Sequence, residues 1–250
     1  MSAQKSKTRL DTLLVEKELV SSRAQARSLI MQGAVFVDGE RVDKAGTLIK
    51  ESSDITIKDS SQKYVGRGGH KLEGALSEFG INVSGSIALD IGASTGGFTD
   101  CLLQHGAQKV YAVDVGYGQL DWKLRNDERV IVVEKLNARY LKPENIGEKV
   151  DIAVIDVSFI SLTMVIPPLK DVLKPEGLLV ALIKPQFEVG KGQVGKGGIV
   201  RDEAKHQEVV DKIRSFLDGL GFTVSGVIPS PILGAQGNKE FLISAVLKGK

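Results

Sequence analysis

The sequence predicts an α/β chain: a mainly parallel seven-stranded sheet with an antiparallel last strand, preceded by a small N-terminal α+β unit. Three observations carry this. Beyond residue 70, seven short apolar runs alternate with mostly helix-compatible segments, the pattern of strands buried on both faces. The last two runs are separated only by a loop over 229–239, which makes them antiparallel neighbours. The first 58 residues follow a different pattern, two amphipathic helices and then short strands around a turn.

In chain order, Leu10, Leu13 and Leu14 fall at helical spacing within 9–17. Ser21 or Ser22 caps a second helix that turns Ala26, Leu29 and Ile30 inward and stops at Gly33. Val35-Phe36-Val37 and Val42 flank an Asp38-Gly39 turn, a hairpin signal, and a short strand over 54–58 closes this unit, residues 1–58. Residues 59–69, rich in Ser and Gly, read as a linker. The larger domain, 70–250, opens with a helix over 70–79 that puts Leu72, Ala75, Leu76 and Phe79 on one stripe. Its strands are expected at 87–91, 110–115, 130–134, 151–157, 178–184, 223–228 and 240–247, with helices over 100–105, 161–173 and 202–220.

Composition narrows the function. At 250 residues and 42% hydrophobic, the chain holds one α/β domain and a small module, which excludes a disordered protein. With 33 basic and 31 acidic side chains the net charge is +2, so any nucleic-acid surface must come from clustering. One cluster exists: six basic residues against three acids in the first 30, with Arg23 and Arg27 one turn apart on the second helix. It reads either as a phosphate-backbone reader or as an ordinary solvated face. Cys101 is the sole cysteine, and His70, His105 and His206 are far apart, so no metal-ligand spacing is present. The N-terminus lacks an apolar signal core, and no apolar run approaches the ~18 residues of a membrane span. A soluble cytoplasmic protein is expected.

Chemistry concentrates first in Asp90-Ile91-Gly92-Ala93-Ser94-Thr95-Gly96-Gly97-Phe98-Thr99, between a strand and a helix. Glycine lets backbone approach a ligand, the first helical N–H groups face its polar atoms, and the acid can pair with a cationic group. The spacing Asp-x-Gly-x-x-x-Gly-Gly departs from Gly-x-Gly-x-x-Gly, and the acid suits an amino-acid ammonium. Both favour S-adenosylmethionine over a dinucleotide. Candidate contacts are Asp90, Gly92, Ala93, Ser94, Gly96, Gly97 and Phe98. Asp114, ending the next strand, suits the ribose hydroxyls of either ligand, and Asn137 is placed to meet an adenine edge or simply to form a turn.

Four more polar residues should converge where strands end: Asp156, Lys184 and Glu240 at strand termini, and Lys71 in the helix before the first strand. A lysine closing Leu178-Leu179-Val180-Ala181-Leu182-Ile183 is costly to bury without carboxylates, for which Asp156 and Glu240 are the candidates. A structural ion pair accounts for any one of these residues; the four together point to chemistry.

The segments carrying these residues include Gly66-Arg67-Gly68-Gly69-His70-Lys71-Leu72, Val113-Asp114-Val115-Gly116-Tyr117-Gly118, Asp156-Val157-Ser158-Phe159-Ile160-Ser161, Ile183-Lys184-Pro185-Gln186-Phe187-Glu188, Gly195-Lys196-Gly197-Gly198 and Gly237-Asn238-Lys239-Glu240-Phe241. On them, and over nearly its whole length, the chain resembles the bacterial TlyA-type ("hemolysin A") proteins, which belong with the FtsJ-like ribosomal RNA 2′-O-methyltransferases. The resemblance implies an S4 RNA-binding domain, a class I (Rossmann-like) methyltransferase domain, and S-adenosyl-L-methionine as cofactor. It also implies a Lys-Asp-Lys-Glu catalytic set at Lys71, Asp156, Lys184 and Glu240. Ribosomal RNA or ribosomal subunits are the implied partner, with a cytidine ribose hydroxyl as target and Arg9, Arg23, Arg27 and Arg67 as RNA contacts. One departure is Gly66, where the resemblance implies a serine before Arg-Gly-Gly.

In that frame Lys184 is the expected base or proton-steering group. Lys71 would disfavour its protonation by like-charge repulsion, and Asp156 and Glu240 would orient the two amines. Two other classes stand beside this one. A non-catalytic ribosome-binding factor is opposed by the intact four-residue set. A membrane-active hemolysin is opposed by helices that lack a strong apolar face with a dense cationic flank.

Overall fold

The structure is a computed structural model that describes residues 7–20, 22–57, 63–190, 192–195 and 197–249. Lys5 of the basic cluster, Ser21, the strand end Lys58, linker residues 59–62 and Lys196 lie outside the described residues. The chain divides into two compact units, 1–62 and 63–250.

The first unit runs β1 (Lys7–Arg9), α1 (Leu10–Glu16), α2 (Arg23–Gln32), β2 (Val35–Val37), β3 (Glu40–Arg41), β4 (Leu48–Lys50) and β5 (Ile55–Ile57). Ser22 caps α2, its hydroxyl accepting from the Gln25 N–H at 3.2 Å, and Gly33 ends it in the left-handed region at φ 72°. β2 pairs with β3 across the Asp38-Gly39 turn and with β5 on its other side. β1 and β4 pair antiparallel, Lys7 opposite Lys50, and leave no sequence signature because three residues are too few to show an alternation. Leu10, Leu13, Leu14, Ala26, Ile30 and Val35 make a core that belongs to this unit alone.

The second unit runs α3 (Gly68–Glu78), β6 (Ile87–Ile91), α4 (Gly97–Gln104), β7 (Lys109–Asp114), α5 (Trp122–Arg125), β8 (Val130–Glu134), α6 (Pro143–Ile146) and β9 (Val150–Ile155). It continues through α7 (Leu162–Val165), β10 (Leu173–Ile183), α8 (Pro185–Glu188), α9 (Glu203–Gly219), β11 (Phe222–Pro229) and β12 (Phe241–Leu247). The seven strands lie in the order β11-β12-β10-β9-β6-β7-β8, parallel except for β12, which is antiparallel to both neighbours. Chain order reverses at β6, between β9 and β7. A crevice outside the carboxyl end of β6 is where ligands bind in such sheets. Apolar side chains cover both faces of the sheet in two clusters, which explains the continuous apolar strands. Cys101 lies fully buried on α4, where burial pushes its thiol up to about 12.

Three expectations are corrected. The helix over 161–173 does not form as one piece: Ser161 caps the short α7, and Pro167-Pro168 convert the rest to a 3-10 turn over Pro167–Asp171. β10 starts at Leu173 instead of 178, with a register shift between Leu173 and Leu178. The linker over 59–69 gives up its last two residues, because α3 begins at Gly68.

That early start has a steric cause. Gly66 to Gly69 cross the start of α4 backbone against backbone. A Cβ on Gly97 would stand 2.9 Å from the Gly69 nitrogen and 3.2 Å from the Gly66 oxygen, and one on Gly69 would stand 2.2 Å from the buried Tyr64 ring. Only bare backbone lets the two helices approach so closely. At Gly66 itself a Cβ would meet only the Thr95 hydroxyl, at 2.8 Å, and lie in ordinary contact with the Gly97 backbone. Gly97→Ala is therefore expected to destabilise the protein by about 1–3 kcal/mol, read as a lower melting temperature; an unchanged melt would show that the crossing can open without penalty.

Candidate functional site

Strand ends bring the four expected polar residues to one edge of the sheet. Asp156 directly follows β9 and Lys184 directly follows β10. Ile183 pairs with Phe241 in the antiparallel ladder, so Lys184 and Glu240, one step beyond, face each other across it. The residues join as two ion pairs. Lys184 Nζ lies 2.6 Å from Asp156 Oδ1, their side chains 11% and 21% exposed. Lys71 Nζ, on the first turns of α3, lies 2.6 Å from Glu240 Oε2, with 9% and 2% exposure. The start of α3 reaches the first pair as well, since a Cβ on Gly68 would be 3.8 Å from Asp156 Oδ2. Each ammonium thus has one of the two expected carboxylates beside it. A buried pair adds little net stability, yet losing one partner costs about 3–5 kcal/mol.

Two residues without an expected role shape these pairs. Lys184 Nζ donates to Ser158 Oγ at 2.9 Å, so Asp156 and Ser158 together fix the direction of the amine. Gly234 lies against Glu240; a Cβ there would stand 2.0 Å from Oε1. Ser158 is 26 residues from Lys184 in sequence, and Gly234 acts by the volume it lacks, so neither leaves a local signal.

The glycine bend adjoins this edge. A Cβ on Gly92, at φ 83°, would stand 2.4 Å from the Asp156 carbonyl oxygen, and Gly96, at φ 100°, sits against Leu124. Ala93 and the Phe98 side chain are buried, so Phe98 presents its backbone at the start of α4 and its ring to the core. Asp114 holds the bend: Oδ2 accepts the Ser94 N–H at 2.9 Å and Oδ1 the Gly116 N–H at 2.7 Å. Asn137 uses its side-chain oxygen in a turn, accepting from the Arg139 N–H at 3.1 Å and Nε at 3.3 Å.

Asp90 is fully buried at the end of β6. Its Oδ2 accepts from Thr99 Oγ1 at 2.7 Å, while Oδ1 has no donor among the described residues. Burial, with Asp156 and Asp114 adding like charge and Thr99 opposing, pushes its pKa up to about 7. An acid short of one partner, beside backbone that admits no side chain, fits the cationic amino-acid end of the donor the sequence suggests. Among the described residues no group of three His, Cys, Asp or Glu could hold a metal ion, and no helix is long and apolar enough to cross a membrane.

The expected RNA contacts fall in both units. Arg9, Arg23 and Arg27 meet on Asp11 in the first. Arg67 is exposed at the start of α3 in the second and has no ion-pair partner among the described residues.

The Asp90 environment sets a pH dependence. Its folded pKa lies above the unfolded value of about 3.9, so its contribution is full below that value and is lost as pH rises through about 7. Between these limits wild-type protein without ligand should lose stability relative to Asp90→Asn, with a slope of at most about 1.4 kcal/mol per pH unit. Parallel stability curves in chemical denaturation would show that Asp90 does not titrate there.

Residues 64–246 match the FtsJ-like methyltransferase model, and residues 8–55 match the S4 domain model. The chain is 48% identical over 238 residues to the 16S/23S rRNA (cytidine-2′-O)-methyltransferase TlyA of Mycobacterium tuberculosis, covering 95% of this chain and 89% of that one. It is 45% identical over 240 residues to Hemolysin A of Brachyspira hyodysenteriae, covering 96% and 100%. A solved structure from Streptococcus thermophilus, provisionally described as a hemolysin, shares 45% identity and a TM-score of 0.76, covering 98% of this chain and 90% of that one. With the switch-point crevice, the glycine bend and a match that takes in all seven strands of the larger sheet, the chain belongs to the FtsJ-like methyltransferase family and carries an S4 domain ahead of it.

Proposed function

We propose that the protein transfers a methyl group from S-adenosylmethionine to a cytidine ribose 2′-hydroxyl of ribosomal RNA. The observation that carries this reading is the convergence of Lys184–Asp156 and Lys71–Glu240 beside the glycine bend. It is supported by the 48% identity, over nearly the full chain, to a protein named for that reaction. Asp90 would hold the donor's ammonium, the backbone of 92–97 its amino-acid portion, and Asp114 its ribose. When bound, the donor supplies an electrophilic methyl on sulfonium.

The chain's own contribution is alignment and proton handling. Lys184 Nζ donates to Ser158 Oγ and is ion-paired with Asp156, which would orient the amine toward the ribose hydroxyl. As the new O–C bond forms and the bond from the methyl to sulfur breaks, the hydroxyl proton would pass to the lone pair of a neutral Lys184 amine, with Asp156 balancing the ammonium that results. Lys71, fixed by Glu240, gives a second cation for the same hydroxyl or a neighbouring phosphate.

Mapping 2′-O-methylation in ribosomal RNA from cells with and without the gene tests the reaction directly; identical maps would end this reading. Lys184→Ala is expected to lower methyl transfer at least ~100-fold with donor affinity nearly intact, and Ser158→Ala to fall between it and wild type. Retained turnover in Lys184→Ala would remove Lys184 from the chemistry. Replacing both Arg23 and Arg27 by Gln should weaken RNA binding and flatten its log–log salt dependence by about 0.9 for each phosphate no longer neutralised; unchanged affinity would put the RNA surface elsewhere.

A further inference from the structure

We infer that Asp11 is a positioning residue for RNA, a buried carboxylate that gathers Arg9, Arg23 and Arg27 into one preformed phosphate-binding face. This rests on the reading of the first unit as an RNA-binding domain and adds the device by which it would bind. Asp11 is the second residue of α1 and is fully buried. Its two oxygens nevertheless accept four hydrogen bonds from three guanidinium groups. Arg9 forks onto it, Nε to Oδ1 at 3.0 Å and Nη2 to Oδ2 at 3.2 Å. Arg23 Nη2 reaches Oδ2 at 2.9 Å and Arg27 Nε reaches the same oxygen at 3.2 Å. Arg9 precedes α1, while Arg23 and Arg27 are one turn apart on α2, so one acid collects cations from two elements. No other carboxylate pairs with any of the three among the described residues.

The exposure pattern separates the roles. The arginine side chains are 48%, 50% and 54% exposed, and Asp11 is 0% exposed. The acid therefore cannot touch a macromolecule, whereas each arginine side chain remains about half exposed. Three guanidinium groups this close repel one another, and a single buried anion offsets that repulsion while leaving the cluster net positive. Hydrogen bonding, from Arg9 foremost, holds the Asp11 carboxyl well below the usual carboxylate range against the opposing effect of burial, so the anion persists at working pH. Gly46 completes the seat, with a Cβ there reaching only 3.3 Å from Arg9 Nη1. Arginine forks held in advance match phosphate oxygens two at a time and lose less freedom on binding than three separate side chains would.

Charge alone and positioning predict opposite signs. Asp11→Asn removes a negative charge, so arginines acting only as charge should bind RNA more tightly. An arginine face that needs its organiser should bind more weakly. The full-length protein is titrated with deproteinised bacterial ribosomal RNA over a series of salt concentrations. The expected result for Asp11→Asn is a loss of about tenfold in affinity and a log–log salt slope shallower by about one. Equal or tighter binding by the folded variant overturns the inference. Since Asp11→Asn can also weaken the fold of its unit, Arg23→Lys with Arg27→Lys is measured alongside; it keeps both charges but not the forks, and wild-type affinity in it likewise overturns the inference. Donor affinity reports on the second unit and should be unchanged in both variants. A wild-type protein that does not bind ribosomal RNA would remove the RNA reading of the first unit and this inference with it, whereas a binding wild type with indifferent variants would remove the inference alone.

Discussion

The arrangement of charged residues at the carboxyl ends of the parallel strands depends on the closeness of two helix starts. The Gly66–Gly69 segment and Gly97 meet at a separation that leaves no room for a single extra carbon, and that contact sets where α3 begins. Lys71 is carried on α3 and the glycine bend leads directly into α4, so the crossing ties the donor side of the site to one of its two lysines. Widening it would displace a lysine from its carboxylate partner and a loop from its ligand at the same time. Close packing transmits such a change because interiors do not deform smoothly.

Once the backbone brings these elements together, electrostatics decides what side chains can occupy the edge. Ammonium groups this little exposed need carboxylates, and the sheet delivers one to each: Asp156 from the neighbouring parallel strand and Glu240 from the antiparallel one. The antiparallel direction of β12 is what places Glu240 opposite Lys184, because only a strand running back from the crevice starts at that end of the sheet. Asp90 is the exception, a buried acid with no cation paired to it among the described residues, and it stands where a positively charged ligand would complete the pairing. The same physics appears with signs reversed in the first unit, where one buried acid serves three cations.

Much of this could be read from the chain itself because it is local. The Asp90–Thr99 stretch combines an acid, a bend only glycine makes easily, and a helix start, all within ten residues. The seven strands stand out because both faces are buried and the apolar runs are unbroken. The failures are equally physical. Leu162, Val165, Ile166 and Leu169 keep a helical rhythm through Pro167-Pro168, and the rhythm misleads because proline removes the hydrogen bonds the rhythm presumes. β1 and β4 exist only through each other, at a separation of some forty residues that no local pattern records. Ser158 and Gly234 matter for what reaches them in three dimensions, a lysine in one case and a carboxylate in the other.

The burial of Cys101 gives the molecule a practical property. Its sulfur is inside the second unit with the thiol strongly disfavoured from ionising, so it is a poor nucleophile toward alkylating reagents. The natural chain thereby behaves in labelling chemistry as if it had no cysteine. A single cysteine introduced at an exposed position of either unit becomes the one reactive handle, and a fluorophore attached there can report on each unit without first removing the native cysteine.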